Sequence, residues 1–312
     1  MKTYFDCIPC FLRQALDAVR AVTDDPRKQE MILRGVLHLT SQMDLKDSPP
    51  SMGKRIHSLI REASRNSDPY LAIKERCNRF AHDLMPWARR TIESASDPFE
   101  CAVRLAIAGN ILDFGVQRVF DEESARKIIE GVLHAPIDLD AIRQLHSEVA
   151  EAKKILYLGD NAGEIFFDRL LIEQLPCERV TFAVRGAPIL NDVTRADAVT
   201  CGLTEMVNVI DSGSDAPGTI LEDCSVEFRA HFTAADRVIA KGQGNYETLS
   251  DEDAPIWFLL KAKCPVIAQD LRCENGALIV RWQHPTGGEQ KQRSILTCQE
   301  TEKAGEDPII RH

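Results

Sequence analysis

Residues Ile155 to Phe167 read ILYLGDNAGEIFF. An apolar run of four ends in a glycine, and an acid and an amide follow at once. A second apolar segment, EIFFDRLLIEQL, then resumes at helical spacing. A short apolar run closed by glycine suits a strand buried on both faces. The polar pair Asp160-Asn161 therefore falls where a strand hands over to a helix.

The same rhythm continues outward from this unit. VTFAV, VNVID, RVIAK and IWFLL read as further short strands, and DVTRADAVTCGL as a helix between two of them. Strands alternating with helices imply a mainly parallel sheet covered on both faces. Before residue 150 the period is helical instead. CFLRQALDAVRAV sets Phe11, Leu12, Leu16, Val19 and Val22 on one face, and Asp97-Pro98 reads as cap and first residue of a later helix. The expectation is an α/β protein: an all-helical segment over 1–150, a Rossmann-like three-layer α/β/α domain with a mainly parallel sheet over 151–287, and a polar tail over 288–312.

Composition narrows the class. The 312 residues carry 48 acids against 38 bases, a formal net charge of -10, and 44% are hydrophobic. An acidic surface disfavours the phosphate backbone of nucleic acids, so no nucleic-acid partner is expected. It leaves room for a small phosphorylated ligand in a positive pocket. No run of about 18 apolar residues and no signal-peptide pattern occurs, so no membrane association and a cytoplasmic location are expected. Ten cysteines in such a chain suit reduced thiols or ligands better than a disulfide framework; Cys264, after the strand IWFLL, reads as core.

In parallel sheets, ligands bind beyond the carboxyl ends of the strands. Three such ends carry chemistry. The first is Asp160-Asn161, with Gly163 and Glu164 opening the next helix. Asp160 as a mere helix cap is the bland alternative. The second, RGAPILNDVTRAD, brings Arg185, Asn191, Asp192 and Asp197. Carboxylate and amide oxygens are what hard divalent cations prefer. The third, KGQGN, sets Lys241 beside Gly242, Gly244 and Asn245, a cation and a turn of N–H groups suited to phosphate. A Walker loop and a GxGxxG fingerprint are both absent.

GDNAGE, RGAPILNDVTRAD and KGQGN, in this order and behind a helical half, resemble the damage-control phosphatases (domain of unknown function 89, ARMT-like). CIPC, DPYLAIK and AIAGNILDFG resemble the archaeal and bacterial branch, which has an N-terminal CxxC, and the likeness runs over about residues 3–283. The resemblance implies metal-dependent hydrolysis of small phosphate monoesters such as sugar phosphates. It implies one divalent ion (Mg, Mn, Co or Ni) held by Asp160, Asn161 and Asp197, with Lys241 near the phosphate. It also favours Asn110 and Asp113 as cleft residues touching substrate, over a local helix break at Gly109.

In the mechanism expected from these residues, Asp192 orients or deprotonates the attacking water, and Lys241 with the N–H groups near Gly242 and Gly244 neutralises charge. Asp160 as a covalent nucleophile is the rival route. Cys7 and Cys10 leave three readings open: packed thiols, a second metal site, or a redox pair with Cys10 lowered by the helix dipole. Two other functions compete: a phosphometabolite-binding protein without turnover, and an α/β methyltransferase. Several carboxylates aimed at one anion favour a metal enzyme over a binder.

Overall fold

In the computed structural model, residues 1–110 and 122–285 are described. Strand β1 (Ile155–Leu158) is buried throughout. It pairs in parallel with β2 (Val180–Val184) on one side and β4 (Arg237–Lys241) on the other. β3 (Asn208–Asp211) extends the first side and β5 (Ile256–Lys261) the second, both parallel. β6 (Leu278–Gln283) closes the β5 edge antiparallel, giving the order β3-β2-β1-β4-β5-β6. Consecutive strands β1 and β2 run to one side, and β4 returns to the other side of β1. That reversal opens a crevice beyond the ends of β1 and β4, the place where doubly wound sheets take ligands.

Helices α1 (Cys7–Val22), α2 (Pro26–Ser41) and α3 (Pro49–Ser64) come first. α4 (Leu71–Ser94), α5 (Pro98–Gly109), α6 (Glu122–Leu133) and α7 (Leu139–Glu151) follow. Within the sheet region lie α8 (Glu164–Ile172), α9 (Arg195–Thr200), α10 (Val226–Ala234), α11 (Gly242–Leu249) and α12 (Pro265–Leu271). Asp97 caps α5 by accepting from the Glu100 N–H at 3.0 Å, and Pro98 sits in its first turn.

The apolar clusters show how these helices are used. α1–α3 keep a core of their own around Ala15, Val19, Val36 and Ile60. Residues of α4, α5 and α7 share one core with Tyr157, Phe182 and Trp257 of the sheet. The other face packs Phe228, Tyr246 and Phe258. The helical half thus packs as two parts, a three-helix bundle and a covering layer. Burying each such aromatic contributes about 2–3 kcal/mol. Asp113 and the polar tail lie outside the described residues.

Candidate active site

Asp160 follows β1 and is 8% exposed. Its Oδ2 accepts from Asn110 Nδ2 at 2.6 Å and from Asn161 Nδ2 at 2.7 Å. Asn110 ends α5, so the covering layer reaches the strand end directly. Both amides also donate to Glu164 Oε2, at 2.9 and 3.0 Å. Gly242 has φ +77°, and a Cβ there would stand 1.9 Å from Asp160 Oδ2. Only glycine lets the start of α11 approach the acid this closely.

From the β2 end, Arg185 donates through Nε to Asp192 Oδ2 at 2.7 Å, and its Nη2 lies 3.9 Å from Asp160 Oδ1. That Nη2 is buried without a hydrogen-bond partner. Asp192 meets Asn161 in an isolated antiparallel bridge, which brings the loop after β2 across the end of β1. Asn191 supports the same crossing, its carbonyl accepting the Ala162 N–H at 2.8 Å. Asn245 ties the ends together. It donates to Gly159 O and Lys241 O and accepts from Arg185 Nη1 and Thr219 Oγ1.

Two positions differ from the sequence reading. Asp197 does not turn to Asp160. Its Oδ2 accepts the N–H and hydroxyl of Thr194 at 2.8 and 2.7 Å, closing a capping box on α9, and its Oδ1 accepts Asn78 Nδ2 at 2.7 Å. The side chain facing Asp160 is Asp192. Lys241 is fully buried below the crevice. Its Nζ donates to Glu164 at 2.7 Å, Asp168 at 2.5 Å and Ala106 O at 2.9 Å. Three N–H donors with three acceptors leave none for a phosphate. The lysine instead balances two acids of α8 standing four residues apart, and Tyr157 adds a 2.8 Å bond to Asp168.

Charge at this strand end is unequal. Asp160, Glu164, Asp168 and Asp192 are buried acids; Lys241 and Arg185 are the buried bases paired with them, and the charge of buried Lys74 is taken up by its own partner Asp68. Burial, then Glu164 and Asp192, push the Asp160 carboxyl well above its usual range. Burial likewise raises Asp192 despite Arg185, and raises Asp168 to about 7 against the pull of Lys241. For Lys241 burial acts downward, but Asp168 and Glu164 outweigh it and hold it above the ordinary lysine value.

A buried excess of two carboxylates, a buried orphan guanidinium N–H and an amide in the same wall fit a divalent cation with a phosphate. Such a cation would be held by oxygens of Asp160, Asn161 and Asp192, a hard set. It contains two carboxylates and one amide; among the described residues no group of three or more His, Cys, Asp or Glu is arranged to hold a metal.

A cavity of about 380 Å³ opens above these residues. Asp160, Asn161, Asn191 and Asp192 form its floor, and Gln243, Gly244 and Lys263 one side. The bundle supplies the facing wall, with Cys7, Cys10 and Phe11 of α1 and Pro50 and Gly53 of α3. Lys263 is exposed and has no hydrogen-bond or ion-pair partner among the described residues. The sequence reading missed it because Lys261 and Lys263 look alike after an apolar strand. It also missed Asn78, which accepts the Gly163 N–H at 2.8 Å, and Asp168, whose signal was a second acid one turn after Glu164 in a helix whose other residues, Arg169 apart, are apolar.

The redox reading of the CxxC, one of the three left open, has Cys10 acidified by the helix dipole. Burial, with Cys264 and Glu247 nearby, raises both it and Cys7 instead. Cys264 stands at the N-cap of α12 in the cavity wall, partly exposed. The two thiols of the CxxC do not by themselves compose a metal site.

Comparison with known proteins follows the same outline. Residues 3–279 match the damage-control phosphatase ARMT1-like domain. The chain is 36% identical over 285 residues to damage-control phosphatase PH1575 of Pyrococcus horikoshii, covering 89% of this chain and 97% of that one. It is 35% identical over 286 residues to a damage-control phosphatase of Archaeoglobus fulgidus, covering 88% and 97%. The crystal structure of the DUF89 family protein from Pyrococcus horikoshii superposes with a TM-score of 0.84 at 34% identity, covering 90% of this chain and 99% of that chain.

Proposed function

The chain belongs to the damage-control phosphatase ARMT1-like family, and we propose on that premise that it hydrolyses small phosphate monoesters with a divalent cation held by Asp160, Asn161 and Asp192. The observation that carries this reading is the buried excess of carboxylate around Asp160, which repels a phosphate unless a cation stands between them. A binder without turnover has no use for that excess. The methyltransferase alternative lacks a glycine-rich cofactor loop after β1.

Asp192 takes the third position that the sequence reading gave to Asp197, and orients the attacking water from there. Arg185 fixes Asp192 through Nε and offers its unpartnered Nη2 to a phosphoryl oxygen. Lys263 attracts the dianion at the cavity mouth, the task first assigned to Lys241. The first-turn N–H groups of α11 at Gln243 and Gly244 add a field that favours the anion. Asn110 and Glu164 hold Asp160 and Asn161 in place from behind, so both are positioning residues. A bound divalent cation supplies Lewis acidity toward the phosphoryl oxygen and acidifies a water.

The test is release of phosphate from p-nitrophenyl phosphate and sugar phosphates after EDTA treatment, with Mg²⁺, Mn²⁺, Co²⁺ or Ni²⁺ restored. Activity that returns with metal and is lost in Asp160→Ala supports the reading. Metal-independent turnover, or none with any metal, overturns it. The same reading takes a domain division near residue 150 and a cytoplasmic setting from sequence rhythm and composition; among the described residues no helix is long and apolar enough to cross a membrane.

A further inference from the structure

One buried side chain of α4 breaks the apolar character of its surroundings. Cys77, Ala81, Leu84 and Ala88 of that helix are fully buried in the core shared with the sheet. Asn78 stands among them at 5% exposure. A buried amide is costly unless both of its ends are bonded. Here the two ends reach two different strand-end segments. Oδ1 accepts the Gly163 N–H at 2.8 Å, in the turn that carries Asp160 and Asn161. Nδ2 donates to Asp197 Oδ1 at 2.7 Å, in the segment that follows Asp192.

The partners fix the orientation of this amide. A backbone N–H only donates, so the atom facing Gly163 is the oxygen, and the NH2 group is thereby aimed at Asp197, which accepts. Asp197 is held in turn by Thr194, whose N–H and hydroxyl donate to its Oδ2. The turn after β1 also lies directly against α4. Gly163 has φ +78°, and a Cβ there would stand 3.0 Å from Cys77 Cβ and 3.1 Å from Cys77 O. Main-chain bonds join the two strand-end segments as well: the Ala162 N–H donates to Asn191 O at 2.8 Å and the Val193 N–H to Asp160 O at 2.9 Å. Asn78 adds a side-chain tie to both from a third element, the covering layer.

We propose that Asn78 is a positioning residue for the cation site: by bonding the turn after β1 and the segment after β2 at once, it sets the spacing between Asp160 and Asn161 on one side and Asp192 on the other. The inference rests on the metal-phosphatase reading above and deepens it, because a cation held by these three residues draws its oxygens from both segments. Residues that orient metal ligands without touching the metal govern affinity by about 10–100-fold.

The experiment measures Mn²⁺ binding to the full chain by calorimetry, without any ester, in the wild type and three variants. Asn78→Leu loses both bonds. Asn78→Asp keeps an acceptor for Gly163 but sets a carboxylate against Asp197. Each should weaken Mn²⁺ binding about tenfold or more, and should raise by the same factor the Mn²⁺ needed for half-maximal hydrolysis of p-nitrophenyl phosphate. Leu84→Ala is the control for destabilisation alone, ~9 Å further along the same helix. It should lower the melting temperature while Mn²⁺ affinity stays within about twofold. Wild-type Mn²⁺ affinity in either Asn78 variant, or an equal loss in Leu84→Ala, overturns the proposal. If the wild type itself binds neither Mn²⁺ nor another divalent ion, the metal reading has failed. Hydrogen exchange of the metal-free protein then decides the coupling separately. Asn78→Leu should speed exchange over residues 159–166 and 192–198 together, beyond any change in Leu84→Ala; acceleration of one segment alone, or of neither, sinks it.

Discussion

At the scale of the residue, the site turns on which of two aspartates faces the first strand end. Asp192 and Asp197 are five positions apart, and both follow β2. Spacing alone does not separate them, because the course of the intervening loop decides which turns inward. One clue was present: Thr194 and Asp197 have the spacing of a capping box, and the structure closes that box. Asp160, Asn161 and Arg185 were legible because a parallel strand fixes where its next residue goes.

The two aspartates give a direct test. Asp192→Asn should lower metal-dependent kcat about 100-fold or more, whereas Asp197→Asn should act on stability, costing about 1 kcal/mol through the cap. Urea denaturation beside kcat measures both. The two lysines separate in the same way. Lys241→Met strands Glu164 and Asp168 as buried unpaired acids and should destabilise by ~3–5 kcal/mol. Lys263→Ala should raise KM for phosphate esters severalfold while the melting temperature stays within a degree or two. A KM effect confined to the Lys241 variant would reverse these assignments.

At the scale of the element, legibility followed burial symmetry. β1 and β5 read as continuous apolar runs because both faces are covered, while β3, an edge with Asn208 and Asp211 exposed, keeps only Val209 and Ile210 buried. β6 escaped because it is an antiparallel edge whose residues, from Leu278 to Gln283, alternate between buried and more exposed positions, and LIVRWQ without a helical partner resembles a loop approach. α3 carries a prediction of its own. His57 is buried, its Nε2 has no hydrogen-bond partner, and its ring packs edge-on to Tyr70 at 6.0 Å. Burial, assisted by Arg61, lowers it to about 4 from the model-compound 6.5.

The folded chain therefore refuses a proton that the unfolded chain takes up below about 6.5. Stability rises with pH in the window between those two values and falls as pH drops through it, by at most ~3 kcal/mol in total. Below about 4 both states are protonated and this contribution is flat. His57→Gln should remove that part of the slope. Urea midpoints of the two proteins between pH 4 and 7 check it. Parallel profiles would show that His57 does not carry this slope, since the buried carboxylates, raised by burial, act in the opposite sense.

At the scale of the whole molecule, the cleft has two walls with different mechanical character. One is the sheet end, rooted in the large shared core. The other is the α1–α3 bundle, whose core is separate and small. Sequence rhythm showed a helical half but not this division, since amphipathic helices look alike whether they cover a sheet or one another. The bundle is fastened to the α/β part by a compact ion-pair network. Lys54 contacts Asp223 at 2.6 Å and Asp215 at 3.1 Å, and Arg61 bonds Asp215 and reaches Pro188 O at 3.0 Å.

A small core held by a few partly exposed charges should open at lower free energy than the sheet does. Hydrogen exchange should therefore show faster exchange in α1–α3 than in β1, β2 and β4. Asp215→Ala, which removes the shared acceptor of Lys54 and Arg61, should speed exchange in the bundle several-fold and leave the sheet unchanged. Because the bundle supplies the facing wall of the cavity, a bound phosphate ester that touches both walls must slow that exchange by mass action. Slowing confined to the sheet end would mean that the ligand contacts one wall alone, and that the bundle shapes access to the site without taking part in recognition.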